Sequence, residues 1–162
     1  MDVIDIILVT LLSEFSDLTD VEQATRVALR LLLAAVLGGL LGYERETHGK
    51  AAGIRTHMLV CTGSALFVLA SELSGGGDDA MSRVVQGIVA GIGFLGVGTI
   101  IKGDRMNEVK GLTTAAGVWM TAAVGVSVGV GLEATAVLAT LLMLFILNVL
   151  PHFLEPQNKN DT

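Results

Sequence analysis

Apolar residues run through this chain in long blocks rather than in alternation. Five blocks approach the length of about 20 residues that a helix needs to cross about 30 Å of hydrocarbon. They are Ala24–Tyr43, Ile54–Leu73, Val84–Ile101, Leu112–Gly131 and Glu133–Leu154. An earlier run, Val3–Phe15, is shorter and is interrupted by Asp5 and Glu14, so it reads as an interfacial helix. The pattern predicts an all-α, polytopic membrane helix bundle of about five transmembrane helices plus a short N-terminal interfacial helix. Three regions follow: an acidic N-terminal segment over 1–23, a transmembrane domain over 24–154 and a short cytoplasmic tail over 155–162.

Within the spans, small residues recur at helical spacing. Gly117, Thr121, Gly125 and Gly129 line one face of the fourth span. The third offers Gly87 with Gly91, and the first offers Ala34 with Gly38 and Ala35 with Gly39. Such ridges let helix backbones approach closely, and these glycines are expected to serve helix packing. The alternative is local unwinding around an ion or substrate. The fifth span, bulky and aliphatic over Leu138–Leu150, is expected to face lipid or a partner subunit. There is also an internal echo. Gly39-Leu40-Leu41-Gly42, a charged loop and Gly53-Ile54-Arg55-Thr56 parallel Gly93-Phe94-Leu95-Gly96, a charged loop and Gly111-Leu112-Thr113-Thr114.

Composition supports the membrane reading: 52% of the 162 residues are hydrophobic and 16% charged, against about 25% charged in ordinary soluble domains. Net charge of -6 argues against nucleic acid as a partner, because such proteins carry a basic stripe. The lone cysteine, Cys61, excludes an intrachain disulfide and reads as a small buried hydrophobe. The N-terminus lacks the basic start and cleavage site of a secretory signal. Basic residues set the orientation. Arg45, Lys50 and Arg55 cluster around the first inter-span loop, and Lys102, Arg105 and Lys110 around the third. The segment before Ala24 holds six acids and no base. The expected topology is N-terminus out and C-terminus in, with both charged loops in the cytoplasm.

Candidate chemistry is confined to a few charged positions. Arg30 lies about two turns into the first span, one turn beyond Arg26 on the same face. It either snorkels to the headgroups or pairs with a carboxylate or helix-end carbonyls across the bundle. Glu44 and Glu46, with Asp104 and Glu108 from the other loop, are candidate oxygen ligands for a hard cation such as Mg²⁺. Ion pairs with Arg45 and Lys50 are the simpler account of that loop. His48 and His57 show no metal spacing and read as polar interfacial residues. The run Gly91-Ile92-Gly93-Phe94-Leu95-Gly96 matches a dinucleotide fingerprint only superficially, since no strand precedes it. No nucleophile–base pair or phosphate-cradling loop appears, no cofactor is evident, and an enzyme is not expected.

The segment from Arg30 through Gly38-Gly39-Leu40-Leu41-Gly42-Tyr43-Glu44-Arg45-Glu46 to Gly53-Ile54-Arg55-Thr56-His57 resembles the MgtC/SapB family of membrane proteins. So does Gly91-Ile92-Gly93-Phe94-Leu95-Gly96 followed by Lys110-Gly111-Leu112-Thr113-Thr114 and Trp119. The resemblance covers roughly residues 26 to 150. It implies a multi-pass protein of the prokaryotic inner membrane, associated with magnesium homeostasis and adaptation to low magnesium. It marks Arg30, Glu44, Arg45, Gly53, Arg55, Thr56, Lys110, Gly111, Thr113 and Thr114 as candidate functional positions. A cation pump or the ATP synthase is the implied partner, and Mg²⁺ the implied ligand or transported ion. The longer members' cytoplasmic C-terminal domain has no counterpart here, so the short SapB-like members are the better comparison. Three function classes remain: a regulator of a membrane partner; an oligomeric transporter or channel for Mg²⁺ or another cation, which a chain this slender would form as a homo-oligomer; and a scaffold or lipid-binding subunit.

Overall fold

A computed structural model of the chain describes residues 2–14, 16, 20–102 and 109–150. They form six helices: α1 (Val3–Glu14), α2 (Val21–Thr47), α3 (Ile54–Leu73), α4 (Asp78–Gly98), α5 (Leu112–Gly129) and α6 (Glu133–Asn148). Between α4 and α5, β1 (Ile101–Lys102) pairs antiparallel with β2 (Val109–Lys110), Ile101 opposite Lys110 and Lys102 opposite Val109. Four helices, α2 to α5, are long and apolar enough to cross a membrane. Helix α6 has 16 residues and spans only about 24 Å at 1.5 Å per residue. The expected continuation of that span to Leu154 lies outside the described residues. Helix α1 buries none of its residues, as a helix lying apart from the bundle would.

Local chemistry explains the boundaries. Asp20 caps α2 by accepting from the Glu22 amide at 3.0 Å, and Glu22 and Arg45 sit at the ends that suit the helix dipole. The helix therefore begins before Ala24, and it runs on to Thr47 rather than stopping at Tyr43. That extension is a correction with consequences, because it makes Glu44 and Arg45 helical residues instead of loop residues. Glu46 then reaches across to accept from the Ile54 amide at 2.8 Å, so the last turn of α2 caps α3. Helix α4 starts at Asp78, not Val84, with two acids in its first turn, where the dipole favours them. It ends at Gly98, where the Thr99 hydroxyl donates to the Gly96 carbonyl at 2.8 Å.

Helices α2 and α5 both pack along α3, α4 lies against α5 and α3, and α6 closes on α5 and α2. The seams are made of small residues. A Cβ at Gly38 would lie 2.8 Å from Cys61 Cβ, and one at Gly129 would lie 2.7 Å from Val68 Cβ. At Gly125 it would collide with the Cys61 carbonyl. The core is accordingly built of Ala34, Leu37, Leu41, Cys61, Ala65, Val124 and Val128 with Ala136 and Met143 of α6. Large apolar side chains point outward instead, among them Leu32, Phe67, Phe94 at 83% exposure, Leu138 and Phe145. That inversion of the soluble pattern suits a bundle solvated by lipid.

The two charged-loop hairpins share a crossing. Gly42 packs on His57, with a Cβ 3.0 Å from His57 Cβ, while Gly96 packs on Ala115 at 3.5 Å. In each hairpin the closing glycine of the first helix meets the fourth residue after the loop glycine. Gly53 and Gly111 are those loop glycines, and each stands at the N-cap of the following helix. Gly111 has φ +94, and a side chain there would overlap the Thr99 carbonyl.

Candidate functional site

The charged side chains of the bundle collect at its two ends. Arg30 and Glu44 sit fourteen positions apart on α2, about 21 Å along its axis.

At one end Arg30 ties four helices together. Its Nη1 donates to Glu72 Oε2 of α3 at 2.9 Å and to the Gly129 carbonyl of α5 at 2.9 Å. Its Nε stands 3.5 Å from Glu133 Oε1 at the start of α6. Only 12% of the side chain is exposed. Gly131, at φ +84, lets the α5–α6 turn close over the guanidinium, where a Cβ would collide with it. Of the two fates open to Arg30, the structure shows pairing across the bundle. A guanidinium suits that place because its rigid fork meets carboxylate and carbonyl oxygens together. Arg26, one turn away, pairs with Glu22 at 2.7 Å and is half-exposed. These two arginines, with Glu22, Glu72 and Leu69, line a cavity of about 310 Å³.

At the other end, Glu44 and Arg45 are 7% and 3% exposed and form a two-pronged ion pair. His48 Nδ1 lies 3.2 Å from Glu44 Oε1, and the Thr47 hydroxyl donates to the Glu44 carbonyl at 2.9 Å. Behind the pair lies His57, which is fully buried rather than interfacial. Its Nδ1 meets Thr121 Oγ1 of α5 at 2.7 Å, and its Nε2 has no hydrogen-bond partner among the described residues. Thr114 is buried nearby on α5, whereas Arg55, Thr113 and Lys110 are exposed and Thr56 is half-buried.

Of the candidate metal ligands, Glu44 is engaged by Arg45 and Glu46 by the α3 N-terminus. Asp104 and Glu108 lie outside the described residues. Among the described residues no three His, Cys, Asp or Glu side chains converge as a metal site would require. The packing candidates divide in two. Gly38, Gly117, Gly125 and Gly129 sit against neighbouring helices and Gly39 touches Met58, but Gly87 and Gly91 have nothing within 4 Å of where a Cβ would stand. Those two instead line an apolar groove of about 540 Å³ between α3 and α4, with Phe67, Val84 and Leu95.

Three participants escape a reading of the chain alone. Glu72 and Glu133 are ordinary helix-end acids until the fold brings them to Arg30. His57 offered a usable signal: it precedes Cys61 by one turn, on the face of α3 that carries Ser64, Ala65 and Val68.

A sequence profile of the MgtC family matches residues 31–155. The chain belongs to the MgtC family. Among its relatives, protein MgtC of Brucella abortus (strain 2308) is 49% identical over 111 residues, covering 68% of this chain and 45% of the relative. Protein SrpB of Synechococcus elongatus is 41% identical over 133 residues, covering 75% of this chain and 73% of the relative. The Escherichia coli (strain K12) protein named "Putative magnesium transporter YhiD" is 39% identical over 130 residues, covering 75% of this chain and 59% of the relative. The chain thus spans about half the length of the MgtC relatives and more of the others. No solved structure matches it. Family and apolar helices together identify a multi-pass membrane protein; the Glu44–Arg45 cluster falls within the matched region, and Arg30 stands one residue before it.

Proposed function

We propose that this MgtC-family protein serves magnesium homeostasis by regulating a membrane partner, through a non-catalytic bundle in the inner membrane. One observation carries the reading: five glutamates near the bundle's ends are already engaged within the chain. Glu44 is held by Arg45, Glu46 caps α3, Glu72 and Glu133 attend Arg30, and Glu22 pairs with Arg26. A hard cation needs several oxygen ligands at once, and these are spent on fixing helices. The bundle is therefore suited to presenting shaped helix surfaces. The bulky outward face of α6, with Leu138, Leu141, Leu142 and Phe145, is the surface proposed to meet the partner, a cation pump or ATP synthase by family resemblance.

A second reading, a cation transporter, is favoured by the name of the Escherichia coli relative and by the unpartnered buried Nε2 of His57. One slender chain would then line a path only as a homo-oligomer.

Growth tests the magnesium assignment. In a bacterium deprived of its own family member and starved of Mg²⁺, the chain should restore growth, and Arg30→Ala should fail to do so at equal membrane abundance. Growth independent of the wild-type chain would remove the magnesium reading.

A further inference from the structure

The polar groups at the middle of the α3–α5 seam determine one another's protons. Thr121 has a single hydroxyl proton, and its Oγ1 lies 2.9 Å from the Gly117 carbonyl, to which it donates. We therefore assign the 2.7 Å contact with His57 Nδ1 to the ring N–H, with the threonine oxygen accepting, which gives the imidazole its Nδ1–H tautomer. Its Nε2 is left as a bare lone pair, buried and without a partner, in a residue with no exposed surface. An unsatisfied acceptor is costly at such a place, so a lone pair kept open there calls for something to receive.

What surrounds it narrows the choice. From α2, Gly42 packs on His57, and the Glu44–Arg45 ion pair follows Gly42 within one turn. Thr121 faces it from α5, Met143 of α6 approaches from beyond Gly117, and Cys61 follows one turn later on α3. The last turn of α2 carries polar groups that reach water. Arg45 is bonded to Glu44, and Glu44 is 3.2 Å from His48, whose side chain is 54% exposed.

We propose that His57 Nε2 is a buried proton-binding site, kept open by Thr121 and reached from the charged-loop end past His48, Glu44 and Arg45. Uptake moves one proton from water at that end onto Nε2. Nδ1 keeps its proton, and no other covalent bond changes. The imidazolium so formed adds a positive charge beside α2, whose last turns carry Gly42, packed on His57, and the Glu44–Arg45 pair. Uptake therefore draws Glu44 away from Arg45 and toward the ring. The last turn of α2, held through the Glu44 carbonyl by Thr47 and His48, shifts its hold as a result. The site stands whether the chain conducts an ion or regulates a partner.

The test is the tautomer and its titration, read by proton–nitrogen correlation spectra of the full chain in lipid nanodiscs with isotope-labelled histidine and arginine. The His57 signal is identified by its loss in His57→Gln or, if that variant does not fold, by elimination with His48→Gln and His152→Gln. At about pH 8, above the ordinary imidazole range, Nδ1 should be protonated and Nε2 bare. Acidification should move Nε2 into the protonated range, with the Arg45 Nε–H signal shifting in the same titration. Thr121→Val should yield a mixture of tautomers. Three results would overturn the proposal: a protonated Nε2 at about pH 8, an Nε2 that never changes before the native spectrum is lost, or a titration to which Arg45 is blind.

Discussion

Arg30 shows what a single residue can and cannot reveal before the fold is known. Its place inside an apolar span marks it as a residue needing partners, because a bare guanidinium in hydrocarbon costs several kcal/mol. Its partners could not be read in advance. Glu72 and the Gly129 carbonyl stand 42 and 99 positions away along the chain, and neither has a distinguishing pattern of its own. Family resemblance marks Glu44 and Arg45, yet the apolar block alone puts them in a loop, because charge normally ends a span. Their burial follows from α2 continuing one turn further than its apolar block. Arg30→Ala should leave two carboxylates and a carbonyl without their donor and lower bundle stability by about 2 kcal/mol. Arg30→Lys should recover part of that loss, since one ammonium replaces the charge but not the fork. Thermal unfolding in mild detergent, followed by helix circular dichroism, measures both.

At the scale of the elements, the apolar blocks and small-residue ridges were legible because lipid-solvated helices must satisfy their own backbone and pack through small side chains. The ridge on α5 faces α3 and α6 as its spacing suggests: Gly117 meets Met143, Gly125 meets Ser64 and Gly129 meets Val68. The spacing of Gly87 and Gly91 on α4 is equally regular, yet none of the described residues fills the space beside them. Periodicity identifies a smooth face and leaves its neighbour unnamed. The two faces should respond differently to bulk. Gly125→Leu forces a side chain into the Cys61 carbonyl and should cost about 3 kcal/mol. Gly87→Leu meets open space and should stay within about 0.5 kcal/mol. Equal melting of the two variants in detergent would contradict the packing described for α3 and α5.

The whole molecule has two chemically distinct ends, set by the path of α2. One end is closed by Arg30 beneath the α5–α6 turn, and the other carries Glu44, Arg45 and both charged loops. We propose, from the distribution of lysine and arginine, that the second end faces the cytoplasm. In a Cys61→Ala background, a membrane-impermeant maleimide should label Asp78→Cys in intact cells and Lys50→Cys only after permeabilisation. The reverse pattern would invert the topology. Function is the least legible layer, because lipid-facing surfaces are much alike in composition and carry no partner's name. The central claim is that the bundle's carboxylates hold helices together and do not carry Mg²⁺. Purified protein in liposomes loaded with a Mg²⁺-sensitive dye tests it most directly. No Mg²⁺ entry above protein-free liposomes is the expected result, whereas protein-dependent entry abolished by Arg30→Ala in a folded bundle would contradict it.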